Sequence, residues 1–301
     1  MGAATMRSRS LPSPMQSGIA YAALAYTLWG LFPLYFSHLA AVPAIEVVAH
    51  RVVWSLAFVL LLLAWRRQWR WVAEVLRQPK VLGAFAISAL LLSCNWLTYI
   101  WAVNHGHVVD SSLGYFITPL VNVALGYTVL HERPRRLQWA ALALATLGVV
   151  WLTIAVGQLP WIALVLAASF GAYGLLRKIA VLGALEGLTL ETLLLAVPAA
   201  AALLLWWGNT PTSFPLADTK TTLLLIGIGP LTAVPLLLFA AGARRISMTT
   251  LGLLQYIGPT IQFGLGVWLF GEPFGGSRLI GFALIWAALL LYSADGLRRR
   301  E

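Results

Sequence analysis

Charged residues and cysteine are scarce in this sequence. Of its 301 residues, 10% are charged and 60% are hydrophobic, and the mean hydropathy is +0.84, whereas soluble domains carry about 25% charged residues. The single cysteine, Cys94, excludes an intramolecular disulfide, and no Cys/His cluster has zinc-site spacing. These shortages exclude a soluble globular domain, so the chain is predicted to cross a membrane many times.

Motifs of enzymes and nucleotide-binding proteins are missing as well. Neither HExxH, GxSxG nor a phosphate-cradling glycine loop occurs, which argues against catalysis and against ATP as a direct energy source. His105, His107 and Asp110 form at most a weak metal site, so no cofactor and no metal are expected. The net charge of +10 does not indicate a nucleic-acid partner, because the basic residues lie in short clusters between apolar runs.

Ten apolar runs fill most of the chain, each long enough to cross about 30 Å of hydrocarbon as a helix. They cover residues 18–40, 44–65, 81–103, 109–130, 136–156, 159–177, 187–208, 221–243, 247–270 and 277–295. Residues 1–17 resemble the start of a signal peptide, but the run after them is longer than a signal-peptide core. We predict an all-α integral membrane protein that retains its first helix.

The basic residues predict the orientation of these runs. With residues 1–17 placed in the cytoplasm as an N-terminal tail, 17 of the 20 Lys and Arg residues fall on the cytoplasmic side. Only Lys220 and Arg278 fall outside, and Arg51 lies within a span. This distribution obeys the positive-inside rule, so the C-terminal tail, residues 296–301, is also predicted to be cytoplasmic.

The sequence also contains an internal repeat with an offset of 140 residues. SLGYFITPLVNVALGYTVLHE (112–132) aligns with GLLQYIGPTIQFGLGVWLFGE (252–272), so that Pro119 matches Pro259 and Glu132 matches Glu272. The predicted repeats are residues 18–156 and 159–295, with five spans each. Because five is odd, the second copy enters the membrane with inverted topology, an arrangement typical of secondary transporters with alternating access.

A proline followed thirteen residues later by a helix-ending glutamate, present twice, resembles the EamA repeat of the drug/metabolite transporter superfamily. The order of further strings is similar to the RarD subgroup, the bacterial "chloramphenicol-sensitive protein" family: EVVAHRVVWS (46–55), NWLTYIWAVN (95–104), SLGYFITPLVN (112–122), ERPRRLQW (132–139) and LGLLQYIGPT (251–260). Thr118 and His131 depart from the Asn and Gly common in relatives, which bears on substrate preference. The resemblance implies a ten-helix transporter of the bacterial inner membrane that exports small amphipathic metabolites or drugs.

Four polar or aromatic residues share one face of the second span. At about 100° per residue, Glu46, His50, Trp54 and Arg51 fall at roughly 0°, 40°, 80° and 140°. A charge near the bilayer centre costs about 2.5 to 3.5 kcal/mol, so this face is expected to point into a polar cavity. The alternative is a structural polar cluster that locks helices together.

Other polar residues at span depth are candidates for the same substrate-binding cavity. They are Asn95, Tyr99, Asn122, Tyr173, Glu191, Gln255 and Tyr256. Trp29, Trp54, Trp96 and Trp101 are candidates for an aromatic wall. In the 140-residue register Arg51 matches Glu191, so equivalent positions carry opposite charges. For each residue the alternative is an interhelical hydrogen bond, worth about 0.6 kcal/mol on average.

Glycines and prolines within the spans predict bending points at Gly30, Pro33, Pro119, Pro235 and Pro259, although close helix packing is the alternative. The combined prediction is a secondary active transporter for a small-molecule substrate, surrounded by membrane lipid and driven by a proton or substrate gradient. Glu46, His50 and Glu191 are the groups able to titrate in that role. A passive pore or a structural membrane protein is the alternative, and a membrane-embedded enzyme is a weaker one.

Overall fold

The computed structural model describes residues 13–67, 69–104, 108–156, 161–209, 211, 214, 216–269 and 276–297, and within them every regular element is helical. The first half contains α1 Pro14–Gly30, α2 Phe32–Phe36, a 3₁₀ turn Ser37–Leu39, α3 Ala44–Arg66, α4 Arg70–Leu76, α5 Pro79–Asn104, α6 Val108–Thr128 and α7 Arg136–Val156. The second half contains α8 Trp161–Ile179, α9 Ala184–Trp206, α10 Thr219–Ala243, α11 Met248–Gln255, α12 Ile257–Trp268 and α13 Ser277–Leu297.

Seven helical segments among the described residues are long and apolar enough to cross a membrane. They are Pro14–Leu39, Ala44–Arg66, Pro79–Tyr99, Arg136–Ile154, Trp161–Ile179, Ala184–Trp206 and Thr219–Ala243, and Leu279–Tyr292 is a shorter apolar helix. Large hydrophobic side chains such as Leu61, Val197 and Leu290 are more than two-thirds exposed on the outside of the bundle. This distribution suits a lipid environment, and the chain is a multi-pass membrane protein.

Side-chain caps mark where several helices begin. Ser13 forms a capping box with Gln16 at the start of α1. Asp218 accepts hydrogen bonds from the backbone of Lys220 and Thr221 at the start of α10, and Ser247 caps α11. Helix α4 lies between the second and third predicted spans, and its seven residues are too few to give a hydropathy signal.

The predicted bending points have different local structures. In the first apolar run, α1 ends at Gly30 and α2, which contains Pro33, begins at Phe32. In the ninth run, α11 and α12 are separated at Tyr256, three residues before Pro259. Proline cannot bond the carbonyl four residues earlier and its ring crowds that carbonyl, which explains why α11 ends at Gln255. Pro119 and Pro235, in contrast, lie inside the continuous helices α6 and α10.

Helix α3 packs against α9 and α10, α1 against α10, α11 and α12, α5 against α8 and α9, and α6 against α8 and α11. Helices α7 and α13 pair with each other at the side of this core. At the crossing of α3 and α10, Gly229 lies directly against the backbone of Trp54, where a Cβ atom would collide. This close approach brings the polar face of α3 to the other half of the chain.

Candidate functional site

Arg51 lies in an aromatic pocket formed by both halves of the chain. Its Nε donates a hydrogen bond to Thr232 Oγ1 on α10 at 3.2 Å. Its Cζ atom is 4.5 Å from the ring centroid of Trp96 on α5 and 5.8 Å from that of Phe36 on α2. Aromatic faces attract a guanidinium through their quadrupoles, so these rings provide part of the stabilisation that water would give.

Two tyrosines complete this pocket. Tyr99 on α5 and Tyr115 on α6 are close enough to Arg51 for an electrostatic interaction, and their ring centroids are 6.1 Å apart. In the described part of the chain, no carboxylate lies within ion-pair distance of Arg51. The half-buried guanidinium therefore keeps unused donors and a net positive charge, which suits the anionic group of a ligand.

Glu46, His50 and Trp54 form a ladder along α3. Trp54 Nε1 donates to His50 Nδ1 at 3.0 Å, and His50 Nε2 lies 3.8 Å from Glu46 Oε1. An indole nitrogen can only donate, so Nδ1 must be the unprotonated nitrogen and the imidazole proton lies on Nε2, towards Glu46. A second proton on Nδ1 would set two N–H groups against each other, so this arrangement favours a neutral His50.

Glu46, His50 and Trp54 also attach a loop residue, Phe214, to the start of α3. Glu46 Oε1 accepts a hydrogen bond from the backbone N–H of Phe214 at 2.9 Å, and the Phe214 ring packs against His50 and Trp54 with centroid distances of 5.4 and 6.4 Å. Glu46 and His50 are both buried. The geometry of these residues is that of a polar cluster that holds the segment after α9 against α3.

Glu191 belongs to a separate cluster that joins α5, α8 and α9. Its carboxylate is fully buried and accepts hydrogen bonds from Ser88 Oγ at 2.5 Å and from Tyr173 OH at 3.4 Å. Arg177 Nη1 lies 3.6 Å from Glu191 Oε1, and Arg177 Nη2 donates to the Ala184 carbonyl at 3.0 Å. Glu191 is therefore neutralised by Arg177, while Arg51, its match in the repeat, lies elsewhere.

The sequence does not single out Arg177, because this residue stands next to Lys178 at the end of an apolar run, where basic residues normally mark a cytoplasmic loop. The structure buries Arg177 to 1% exposure. One signal was available: Arg177 follows Tyr173 by one helical turn, so the two side chains share a face of α8. Thr232, Phe36 and Ser88 were also missed, since nothing in their local patterns distinguishes them from helix-packing residues.

The remaining candidates form interhelical hydrogen bonds. Asn95 Nδ2 donates to the Leu166 carbonyl at 2.9 Å and to Ser169 Oγ at 3.1 Å. Asn122 Nδ2 donates to Gln255 Oε1 at 3.0 Å, and Tyr256 OH donates to the Phe116 carbonyl at 3.2 Å. These bonds join neighbouring helices and involve none of the groups bonded to Arg51. Asn122 Oδ1 is buried without a hydrogen-bond partner.

The repeated glutamate has a capping role in the first copy. Glu132 accepts hydrogen bonds from the backbone of Met248 at 2.8 Å and of Thr249 at 3.2 Å, at the start of α11. Lys178 Nζ lies 3.9 Å from the same carboxylate. A carboxylate at a helix N-terminus compensates unpaired N–H groups and the helix dipole. Its repeat match, Glu272, lies outside the described residues.

Metal ligands do not cluster in the described part of the chain, where no group of three or more His, Cys, Asp or Glu residues could hold an ion. The side chains of His105, His107 and Asp110 lie outside that part. The candidate site is thus the Arg51 pocket, with the Glu46 ladder and the Glu191 cluster as two further polar groups.

Known proteins are similar to this chain in both sequence and fold. Residues 16–154 match the EamA-like transporter family. The chain is 47% identical over 283 residues to Protein RarD of Streptomyces exfoliatus, covering 94% of this chain and 90% of that protein. It is 46% identical over 284 residues to an uncharacterized transporter of Vibrio cholerae, covering 94% of each. The chain belongs to the EamA-like transporter family.

Further similarities agree with this membership. Protein RarD of Escherichia coli is 44% identical over 283 residues, covering 94% of this chain and 95% of that protein. A solved crystal structure with 22% identity superposes with a TM-score of 0.71, covering 91% of this chain and 96% of the other; at this identity the likeness concerns the fold alone. The family predicted from the motifs is confirmed, and this EamA-family chain is a membrane transporter.

Proposed function

We propose that this EamA-family chain is a secondary active transporter that exports a small amphipathic metabolite or drug with an anionic group across the bacterial inner membrane. Its ten spans form two inverted five-helix repeats, residues 18–156 and 159–295, with both termini in the cytoplasm. Access alternates about the Arg51 pocket, and a proton or substrate gradient supplies the energy. Membership of a transporter family and the absence of a nucleotide motif support the proposal of small-molecule export without ATP.

The helix bounds support the repeat. Adding 140 to the bounds of α3, 44 and 66, gives 184 and 206, which are the bounds of α9. Adding 140 to the bounds of α6, 108 and 128, gives 248 and 268, the start of α11 and the end of α12. The same shift takes the start of α5, 79, to 219, the start of α10.

The same shift of 140 residues relates α5 to α10, α6 to the α11 and α12 segment, and α1 to α8. The contact between α5 and α8 therefore corresponds to the contact between α10 and α1. The contact between α6 and α8 likewise corresponds to that between α1 and the α11 and α12 segment, and all these contacts are present. The pairs α3 with α9, α6 with α11, and α7 with α13 map onto themselves. Two structurally equivalent halves that meet along shared helices are able to rock about a central site.

The unpaired Arg51 is the observation that carries the substrate proposal. A cation in low-dielectric surroundings is costly, and here it is retained beside Thr232 of the opposite half without a carboxylate in the described residues. The rings of Trp96, Tyr99 and Tyr115 around it suit the apolar part of a ligand. We therefore place the ligand's anionic group on Arg51 and its apolar body against these aromatic side chains.

Reconstitution into proteoliposomes tests this proposal. The wild type should show saturable flux of an unmodified aromatic carboxylate or amino acid, accelerated by solute on the opposite side or by a pH gradient. Arg51→Lys should lower Vmax/KM by at least about tenfold, or about 1.4 kcal/mol, because Lys keeps the charge but loses the planar guanidinium fork. Arg66→Lys is the matched control, since Arg66 lies exposed at the end of the same helix.

Three results would contradict the proposal in different ways. Linear, non-saturating flux would indicate a pore, and a chemically changed product would indicate an enzyme. Normal transport by Arg51→Lys, together with a lower unfolding temperature for Arg51→Gln, would assign Arg51 to a structural cluster.

A further inference from the structure

A pocket of about 230 Å³ lies between the first three turns of α5 and the end of α8, and it shares no wall residue with the Arg51 pocket. Lys80 and Val81 of α5 and Ile179 and Val181 from the end of α8 belong to its walls, and Arg177 reaches it from α8. In the proposed topology this end of both helices is cytoplasmic. The pocket is therefore placed to receive a solute from the cytoplasm.

The guanidinium of Arg177, which reaches this pocket, has only some of its hydrogen-bond donors in use. Arg177 is buried, and its Nε and Nη1 atoms have no hydrogen-bond partner; only Nη2 donates, to the Ala184 carbonyl. Its ion pair with Glu191 is long, at 3.6 Å from Nη1 to Oε1. A guanidinium has five N–H donors and forms strong hydrogen bonds to carboxylates, so the unused donors on Nε and Nη1 of Arg177 are of the kind that a carboxylate ligand uses.

The charges and the apolar walls of this pocket indicate which class of ligand it would bind. Lys80, which is exposed, and Arg177 carry two positive charges against one negative charge on Glu191, so the neighbourhood keeps a surplus of one. Apart from Ser88, the other wall residues are apolar, and the Phe85 ring lies 5.7 Å from Arg177 Cζ. A small carboxylate with an apolar tail matches both features.

We propose that this pocket binds a small amphipathic carboxylate from the cytoplasmic side, and that the bound carboxylate replaces Glu191 as the partner of Arg177 while Glu191 takes up one proton from water. No covalent bond changes: a neutral Arg177–Glu191 pair, one carboxylate anion and one proton become a neutral Arg177–ligand pair and a protonated Glu191. The ligand is taken to be the transported solute, so the assignment rests on the proposed function.

The surroundings of Glu191 support this exchange. Arg177 and Tyr173 face it from α8 and Ser88 faces it from α5. Helices α3 and α10 also pack against α9, yet in the described ranges neither places a charged group within ion-pair distance of Glu191. A buried carboxylate that loses its only cation is far more stable in the protonated form. The hydroxyl oxygens of Ser88 and Tyr173 can accept a hydrogen bond from that form.

Cysteine protection with octanoate as the probe tests the location. In a Cys94→Ser background, Leu176→Cys places a thiol on the pocket wall, whereas Gly83→Cys places one on α5 outside the pocket, at an exposed position with open space around a Cβ. In detergent free of phospholipid, octanoate should slow maleimide labelling of Leu176→Cys at least about tenfold and leave Gly83→Cys unchanged. Added Arg177→Gln should abolish the protection.

Titration calorimetry in buffers of different ionisation enthalpy tests the proton exchange. Octanoate binding should take up close to one proton, and its affinity should fall by up to about tenfold for each unit rise in pH. Glu191→Gln should bind octanoate more tightly and without proton uptake. If Arg177→Gln does not fold because it leaves Glu191 unpaired, the double variant Arg177→Gln/Glu191→Gln should fold and fail to bind octanoate.

The outcomes separate this inference from the proposed function. Equal protection of both cysteines, or protection by phosphatidylglycerol and not by octanoate, would overturn the carboxylate site. Binding without proton uptake would overturn the exchange with Glu191. Because these measurements need no transport, they stand even if the Arg51 variants transport normally, and loss of transport in Arg51→Lys with intact protection would leave both proposals in place.

Discussion

Arg51 and Arg177 are stabilised inside the bundle in different ways. Arg51 is surrounded by aromatic rings and one hydroxyl, whereas Arg177 faces the carboxylate of Glu191. The sequence predicted a special role for Arg51, because it interrupts an apolar run near its centre. It did not predict the burial of Arg177, because that residue lies next to Lys178 at the end of a run, where basic residues normally mark a cytoplasmic loop.

Gly187 makes room for Arg177. A Cβ atom at this position would collide with Arg177 Nη1 and would lie 2.7 Å from the Phe85 ring. Gly187→Ala should therefore lower the free energy of unfolding by about 1 to 3 kcal/mol, the usual cost of overpacking, because the guanidinium must leave its place beside Glu191. Thermal unfolding in detergent measures the change.

Gly83→Ala is the matched control for that substitution. Gly83 is also helical, but open space surrounds its Cβ position, so alanine should stabilise the protein by up to about 1 kcal/mol through its higher helix propensity. Equal effects of the two substitutions would show that Arg177 does not need the space at Gly187.

The helices and their contacts differ in how far the sequence predicts them. The apolar runs coincide closely with helices, because a run of some twenty apolar residues has no other favourable structure in lipid. The sequence predicted Pro259 as a bending point and the structure ends α11 at Gln255, but periodicity does not tell which helix faces which. The pairing of Glu191 with Arg177, and of Arg51 with Thr232, depends on that packing.

A residue of the second half of the chain stabilises the break between α1 and α2 near Pro33. Pro33 has no N–H to bond the Trp29 carbonyl four residues earlier, and Gln262 Nε2 on α12 donates to that carbonyl at 3.2 Å. Gln262→Leu should lower the free energy of unfolding by about 0.6 kcal/mol, and by no more than about 1.7 kcal/mol, because an intramembrane hydrogen bond is lost. Thermal unfolding of the purified protein provides the value.

Gln78→Leu is a suitable comparison, since Gln78 is exposed before α5 and its side chain makes no hydrogen bond among the described residues. The same loss of stability in both variants would mean that the bond to Trp29 contributes nothing specific. A larger effect on transport than on stability in Gln262→Leu would instead identify this bond as part of the conformational change.

Glu132 joins the two halves of the chain at one end of the molecule. Glu132 belongs to the first half, and its carboxylate lies 3.9 Å from Lys178 Nζ and accepts a hydrogen bond from the backbone N–H of Met248, both in the second half. In the proposed topology this end is cytoplasmic, and the helix terminus of α11 is attached there by Glu132. Opening the transporter to the cytoplasm requires these contacts to separate, so the charged residues of this end are expected to set the preference between the two access states.

Whether α6 crosses the membrane can be tested by finding the side of the membrane on which Glu74 and Asn209 lie. Glu74 on α4 and Asn209 after α9 are both exposed, and α5, α6, α7, α8 and α9 lie between them. If α6 crosses the membrane with the other four, the number of crossings is odd and the two positions lie on opposite sides. If α6 does not cross, four crossings place them on the same side, and the inverted repeat is lost.

Cysteine labelling in intact cells distinguishes these cases. In a Cys94→Ser background, Asn209→Cys should react with an impermeant maleimide from outside and Glu74→Cys should not, because the basic residues around α4 hold that segment in the cytoplasm. A permeant maleimide should label both variants, which controls for burial of the thiol. Labelling of both cysteines from the same side would remove the ten-span inverted repeat, and with it the alternation of access about Arg51; labelling of Glu74→Cys alone would keep the repeat and reverse the orientation.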